Sequence, residues 1–147
     1  MVIMPAVQKD LEEILRHTAE SFNEGSQGNY YVNDALASEM MNTVLLRGGR
    51  VLVMKEPDTH EFAGWILYGI EKDEITQDDF GFIYELHVLK PYRKRGYATA
   101  LMEEALHQLK HHGLKRVRLV VYKGNFAIDL YEKLGFSQHR IVMDKPI

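Results

Sequence analysis

Residues Arg93–Leu101 read RKRGYATAL. Three cations and a glycine stand between a stretch that reads as a strand, FIYELHVLKPY, and one that reads as a helix, MEEALHQLKHH. A helix start leaves several amide N–H groups without partners and carries partial positive charge. Phosphate and other anions bind at such points. Gly96 removes a Cβ where a ligand would approach, Ala98 is nearly as small, and Thr99 adds a hydroxyl in the first helical turn. The spacing excludes a Walker A loop, which needs Gly-Lys-Ser/Thr, and a three-glycine dinucleotide fingerprint. The bland alternative is a solvated basic turn whose glycine serves conformation alone. His107 and His111 share an i, i+4 spacing, but two ligands without cysteine do not make a metal site, and no metal is expected.

The elements around this turn follow from periodicity. Val2–Val7 reads as a first strand. Asp10 and Glu13 have capping-box spacing ahead of Leu11, Ile14, Leu15 and Phe22. A second helix is predicted from Asn33 or Asp34, with Leu36, Met40, Met41, Val44 and Leu45 as its apolar side, ending at Gly48–Gly49. RVLVMKE and EFAGWILYGIEK read as neighbouring strands, with Trp65 and Tyr68 in the core, and FGFIYELHVL as a central strand. Tyr84 and Glu85 should then face opposite sides of the sheet. Ala98, Leu101, Met102, Ala105 and Leu109 form one helical stripe that Gly113 stops. KRVRLVVY reads as a strand, FAIDLYEKLG as a short helix and HRIVMDK as a last strand. The expected fold is mixed α/β (α+β): a central, mostly antiparallel sheet with helices on both faces, in the order β-α-α-β-β-β-α-β-α-β.

With 147 residues the chain suits one domain, taken as residues 1–147. A net charge of −3 argues against a nucleic-acid partner despite KPYRKR. There is no cysteine, which excludes disulfides and thiol nucleophiles. No signal-peptide pattern and no membrane-length apolar run is present, so the expectation is a cytoplasmic protein without a membrane partner.

LHVLKPYRKRGYATALMEEAL resembles the acetyl-CoA-binding motif of the GNAT superfamily of N-acetyltransferases, Arg/Gln-x-x-Gly-x-Gly/Ala at a strand-to-helix junction. Its elements stand as Arg93, Gly96 and Ala98. LYEKLGF, residues Leu130–Phe136, is similar to a second segment of that superfamily. The resemblance implies transfer of an acetyl group from acetyl-CoA to a primary amine by direct attack in a ternary complex. It implies that backbone groups of Leu86, His87 and Val88 pair with the pantetheine arm as an added strand. The amides of Arg93, Lys94, Arg95, Gly96, Tyr97 and Ala98 would hold the pyrophosphate, helped by Thr99. Tyr131 would act as general acid toward the departing thiolate, and Asn125 would lie near the cofactor. Asn125 lies six residues before Tyr131, where many members have seven, and Gly124 takes the seventh position.

The acceptor needs a base, and Glu85 is the carboxylate beside the proposed pantetheine segment. Burial would raise its pKa, and it could take a proton directly or through water. The bland reading is a carboxylate satisfied by a neighbouring cation or amide. The acidic run EKDEITQDD could attract a cationic amine or be only a solvated hairpin, and Tyr30 and Tyr31 could line an acceptor wall. The acceptor itself, a small-molecule or a protein or peptide amine, is not legible. A homodimer through exposed strand edges is compatible with the sequence. A non-catalytic acyl-CoA-binding module of the same fold is the alternative function.

Overall fold

The computed structural model describes residues 2–147. The elements run β1 (Val2–Pro5), α1 (Gln8–Leu15), α2 (Thr18–Gly25), α3 (Asp34–Leu46), β2 (Arg50–Lys55), β3 (Phe62–Lys72), β4 (Asp79–Val88), α4 (Tyr97–His111), β5 (Val117–Leu119) and α5 (Ala127–Lys133). The five strands form one sheet in sequence order. Pairing is antiparallel from β1 to β4 and parallel between β4 and β5. The parallel pair follows from α4, which returns the chain across the sheet before β5 begins. The mixed, mostly antiparallel sheet with helices on both faces is thus as expected.

Each face of the sheet buries its own cluster. Leu101, Met102, Ala105 and Leu109 of α4 pack on Leu52, Met54, Ile66, Tyr68 and Ile83. On the other face Ile14 of α1 and Met41 of α3 pack on Val51, Val53, Trp65 and Leu67. Alternation along β2 and β3 sends successive side chains to the two clusters, and both Trp65 and Tyr68 are core residues.

Five expectations change in detail. The first helix breaks at Arg16–His17, where the Arg16 and His17 amides bond back three residues, to Glu13 and Ile14. Asp10 is not the residue ahead of that helix but lies within its first turn. It accepts the Val7 amide at 3.0 Å and, buried, pairs with Lys55 at 3.1 Å. Glu13 instead holds Arg16 at 2.7 Å. In α3 the Asn33 side chain caps the start by accepting the Leu36 amide at 2.8 Å. Its buried side is Ala37 and Met41, while Leu36 and Met40 are exposed.

The last two changes concern the C-terminal third. β5 has three residues rather than the whole of KRVRLVVY, and HRIVMDK is not a strand. Ile141, Val142 and Met143 are exposed. A strand needs a paired edge, and β propensity alone does not hold one. The order is therefore β-α-α-α-β-β-β-α-β-α. The acidic run after β3 is a hairpin turn organised by Asp73. Its carboxylate accepts the Ile75 and Thr76 amides at 2.9 and 3.0 Å and pairs with Arg118 at 2.9 Å.

Candidate active site

The β4–β5 pairing covers only Gly81–Ile83 against Val117–Leu119. Beyond Ile83 the two strands part, and β4 runs on to Val88 with that edge open. The Leu89 amide donates to the Ala63 carbonyl on the β3 side at 2.8 Å. Alternation then turns the backbone groups of Leu86 and Val88 toward the open edge and those of His87 toward β3. Of the three residues expected to pair with a ligand, two present backbone groups to the gap. The Val88 carbonyl there accepts the Arg93 Nε–H at 2.8 Å.

The basic turn lies at the end of this gap. After a 3-10 turn at Lys90–Tyr92, Lys94 (φ 63°) and Gly96 (φ 79°) both take left-handed backbone, and α4 begins at Tyr97. Nothing lies within 4 Å of where a Cβ on Gly96 would stand. The glycine is therefore required by its backbone conformation and not by crowding inside the fold. The amides of residues 94 to 99 have no hydrogen-bond acceptor among the described residues. Six consecutive N–H groups without a protein partner, at a helix start, fit an anion such as a pyrophosphate.

Two of the three cations of the turn are held by carboxylates. Arg93 pairs with Glu24 of α2, Nη1 to Oε1 at 2.9 Å and Nη2 to Oε2 at 3.2 Å. Arg95 pairs with Glu56 at 2.8 Å, and the Tyr97 hydroxyl donates to the same Glu56 oxygen at 2.8 Å. Among the described residues only Lys94 of the three is without an ion pair. The turn is thus built chiefly from backbone donors.

Glu85 lies on the α2 side of the sheet. The β3–β4 register slips so that Leu67 faces Glu85 and Tyr68 faces Ile83, leaving Tyr84 unpaired. This β-bulge puts Tyr84 on the same face as Glu85, contrary to the alternation expected from sequence. Tyr84 packs with the Trp65–Leu67 cluster and donates its hydroxyl to Glu71. The Glu85 carboxylate accepts the Thr18 hydroxyl at 3.0 Å on each oxygen. Burial pushes its pKa up to about 7, against the donors Thr18, Trp65 and Ser21, which lower it. The Trp65 indole N–H is buried and has no hydrogen-bond partner of normal geometry among the described residues. Next on this face, His87 stacks obliquely on Trp65 at 5.0 Å. Burial drives its pKa down to about 4, so its ring is neutral.

Tyr131 lies on the opposite, α4 face. It packs against Phe136 at 6.0 Å and against the cluster that includes Leu86. Burial raises its pKa, and its hydroxyl has no hydrogen bond among the described residues. Glu85 and Tyr131 thus lie on opposite faces of the sheet. Asn125 is engaged structurally: Oδ1 accepts the Ala127 amide at 2.9 Å, and Nδ2 donates to the Gly25 carbonyl at 3.4 Å. Among the described residues no group of three His, Cys, Asp or Glu side chains could hold a metal.

An open cleft of about 660 Å³ lies between α2 and the start of α3. Glu20, Glu24, Asp34 and Tyr31 line it together with Lys90, which pairs with Glu20 at 3.8 Å. Tyr30 stands aside from it, edge-on to Tyr122 at 5.9 Å. Sequence reading did not single out Thr18, Ser21 or Glu24. Their spacing of three along one helix was the available signal, masked by the assumption of one continuous helix.

A splayed β4–β5 pair, an open strand edge and a helix-start cradle define an acyltransferase fold. The family of GNAT acetyltransferases matches residues 9–136, and the chain belongs to it. It is 26% identical over 160 residues to the uncharacterized N-acetyltransferase YycN of Bacillus subtilis, covering 100% of this chain and 99% of that protein. It is 28% identical over 92 residues to the ribosomal protein bS18-alanine N-acetyltransferase of Haemophilus influenzae, covering 63% of this chain and 59% of that one. Among solved structures, a variant of the BH1408 protein from Bacillus halodurans superposes with a TM-score of 0.84 at 22% identity, over 100% of this chain and 99% of that one. An aminoglycoside 6'-N-acetyltransferase from Acinetobacter haemolyticus does so at 0.74 and 19%, over 100% and 99%. These two likenesses establish the fold.

Proposed function

We propose that the protein is an acetyl-CoA-dependent N-acetyltransferase acting on a primary amine in a ternary complex. The observation that carries this reading is the continuity of the open β4 edge with the unaccepted amides of residues 94 to 99. Leu86 and Val88 would pair with the pantetheine arm, His87 completing the strand between them, and the amides of Lys94 to Ala98 with Thr99 would hold the pyrophosphate; the Arg93 amide, expected to join them, instead donates to the Lys90 carbonyl at 3.3 Å. Acetyl-CoA, when bound, supplies an acyl thioester. The Val88 N–H would polarise its carbonyl. Asn125 would act on the cofactor only indirectly, by fixing the loop before α5.

The amine must lose a proton to attack. Glu85, with a pKa near 7, would accept it, directly or through water. The new N–C bond forms as the C–S bond breaks, and the Tyr131 hydroxyl would give its proton to the departing sulfur. With Glu20 and Glu24 held by Lys90 and Arg93, Asp34 is the cleft carboxylate that would favour a cationic acceptor. That relatives are named for an alanine of a ribosomal protein and for aminoglycosides fits an amine acceptor.

Calorimetric titration with acetyl-CoA, followed by a panel of small amines, aminoglycosides and peptides, tests this. Expected are micromolar binding and turnover of at least one amine, with Tyr131→Phe lowering kcat about tenfold to a hundredfold. Binding without turnover of any amine would support a sensing module instead, and no binding would reject both.

A further inference from the structure

Thr18, Ser21 and Glu24 recur at intervals of three and share one face of α2. Thr18 and Ser21 are buried, at 2% and 8% exposure. Buried hydroxyls are rare on a helix unless they have a partner. Thr18 donates to both Glu85 oxygens at 3.0 Å, and Ser21 adds a second hydroxyl beside the same carboxylate. At the other end of α2, Glu24 holds the Arg93 guanidinium through two contacts, while Arg93 Nε holds the Val88 carbonyl at 2.8 Å. Helix α2 is therefore fastened to β4 at two points, Glu85 and Val88, with His87 enclosed between them.

We propose that Thr18 is a positioning residue for Glu85, and that the Glu24–Arg93 link keeps α2 in the register that presents it. The inference rests on Glu85 being the base. A carboxylate beside a bulge has no neighbour in the strand ladder that fixes its plane. A hydroxyl reaching both oxygens does so, and it favours the ionised form that can take a proton. The donors facing Glu85 are Thr18 and Ser21 from α2 and Trp65 from β3. The titratable and charged groups farther along this face, around His87, are His17, Glu20, Glu24 and Arg93. Since burial and the three donors account for the shift of Glu85, removing Thr18 leaves burial opposed by Ser21 and Trp65 alone.

The experiment compares wild type, Thr18→Val, Thr18→Ser and Glu85→Gln. It uses acetyl-CoA and the amine that the panel shows to be turned over fastest. The readouts are the pH profile of kcat/KM and the titration of the Glu85 carboxyl carbon by NMR. Expected for Thr18→Val is an acid limb and a carboxyl titration both moved up by about one pH unit, kcat lowered about tenfold, and KM for acetyl-CoA within about twofold. Thr18→Ser should restore all three. If Thr18→Val does not fold, Thr18→Ala provides the same readouts. An acid limb and titration unmoved in the folded variant, with Glu85→Gln inactive, would overturn the proposal alone. Glu85→Gln as active as wild type would overturn both the base and the residue that positions it.

Discussion

Tyr84 and Glu85 are consecutive residues of β4, yet both face the α1–α3 side of the sheet. The bulge that absorbs Tyr84 flips the alternation, so Ile83 and Leu86 lie on the α4 face while Glu85 and His87 lie under α2. A one-residue change of register moves every following side chain to the other face. Without the bulge Glu85 would be directed into the cluster beneath α4, and no hydroxyl of α2 could reach it.

Burial of Glu85 makes stability depend on pH. Its folded pKa, about 7, stands above its unfolded value. The contribution is therefore full below about pH 4.5 and is lost as pH rises through about 7. A shift of this size corresponds to on the order of 3 kcal/mol. Glu85→Gln should remove that slope and be more stable than wild type at pH 8. Urea denaturation at pH 5 and pH 8 measures it; equal pH dependence in both proteins would contradict the burial.

His87 has the opposite sign. Its folded pKa is depressed to about 4, so its contribution is full above about pH 6.5 and is lost as pH falls through about 4. The two slopes oppose each other between about pH 4.5 and 6.5. In Glu85→Gln the His87 slope should stand alone, with stability rising by on the order of 2–3 kcal/mol from pH 4 to 7. An imidazole titration near pH 6.5 by NMR would show that the ring is not enclosed.

Gly96 and Lys94 separate backbone geometry from charge. Gly96 adopts left-handed backbone that a β-branched residue resists at a cost of about 1–2 kcal/mol. Gly96→Val should abolish detectable acetyl-CoA binding by calorimetry, since it disturbs the amides on both sides. Lys94→Ala removes a charge without an ion pair and should weaken binding severalfold. Equal losses would mean that charge, and not the array of amides, holds the anion.

Asn125, one residue ahead of the α5 cap, accepts the Ala127 amide and reaches Gly25 across the loop. Asn125→Ala should cost about 1 kcal/mol in thermal or urea unfolding. Asn125→Asp, which keeps the accepting oxygen, should recover most of it. A variant of unchanged stability but greatly weakened acetyl-CoA binding would show direct contact with the cofactor instead.

Much of the fold is written in local patterns. The α4 stripe from Leu101 to Leu109, the β2–β3 hairpin and the glycine-containing helix start depend on short-range periodicity and backbone preference, and they were legible. So was the array of unpartnered amides in the turn, because a helix start leaves such amides in any helix. Residues Arg93–Ala98 and Leu130–Phe136 together led to the family. What the chain alone did not reveal depended on partners distant in sequence. Asp10 became a buried partner of Lys55, and HRIVMDK remained unpaired despite its composition. Two of the three cations in RKRGYATAL turned toward Glu24 and Glu56. The sequence determined that a strand, a turn and a helix would leave a run of unpartnered amides at the helix start. Only the tertiary structure decided where the carboxylate beside it would point, because a bulge leaves no mark in residue period and Thr18 is 67 residues from Glu85.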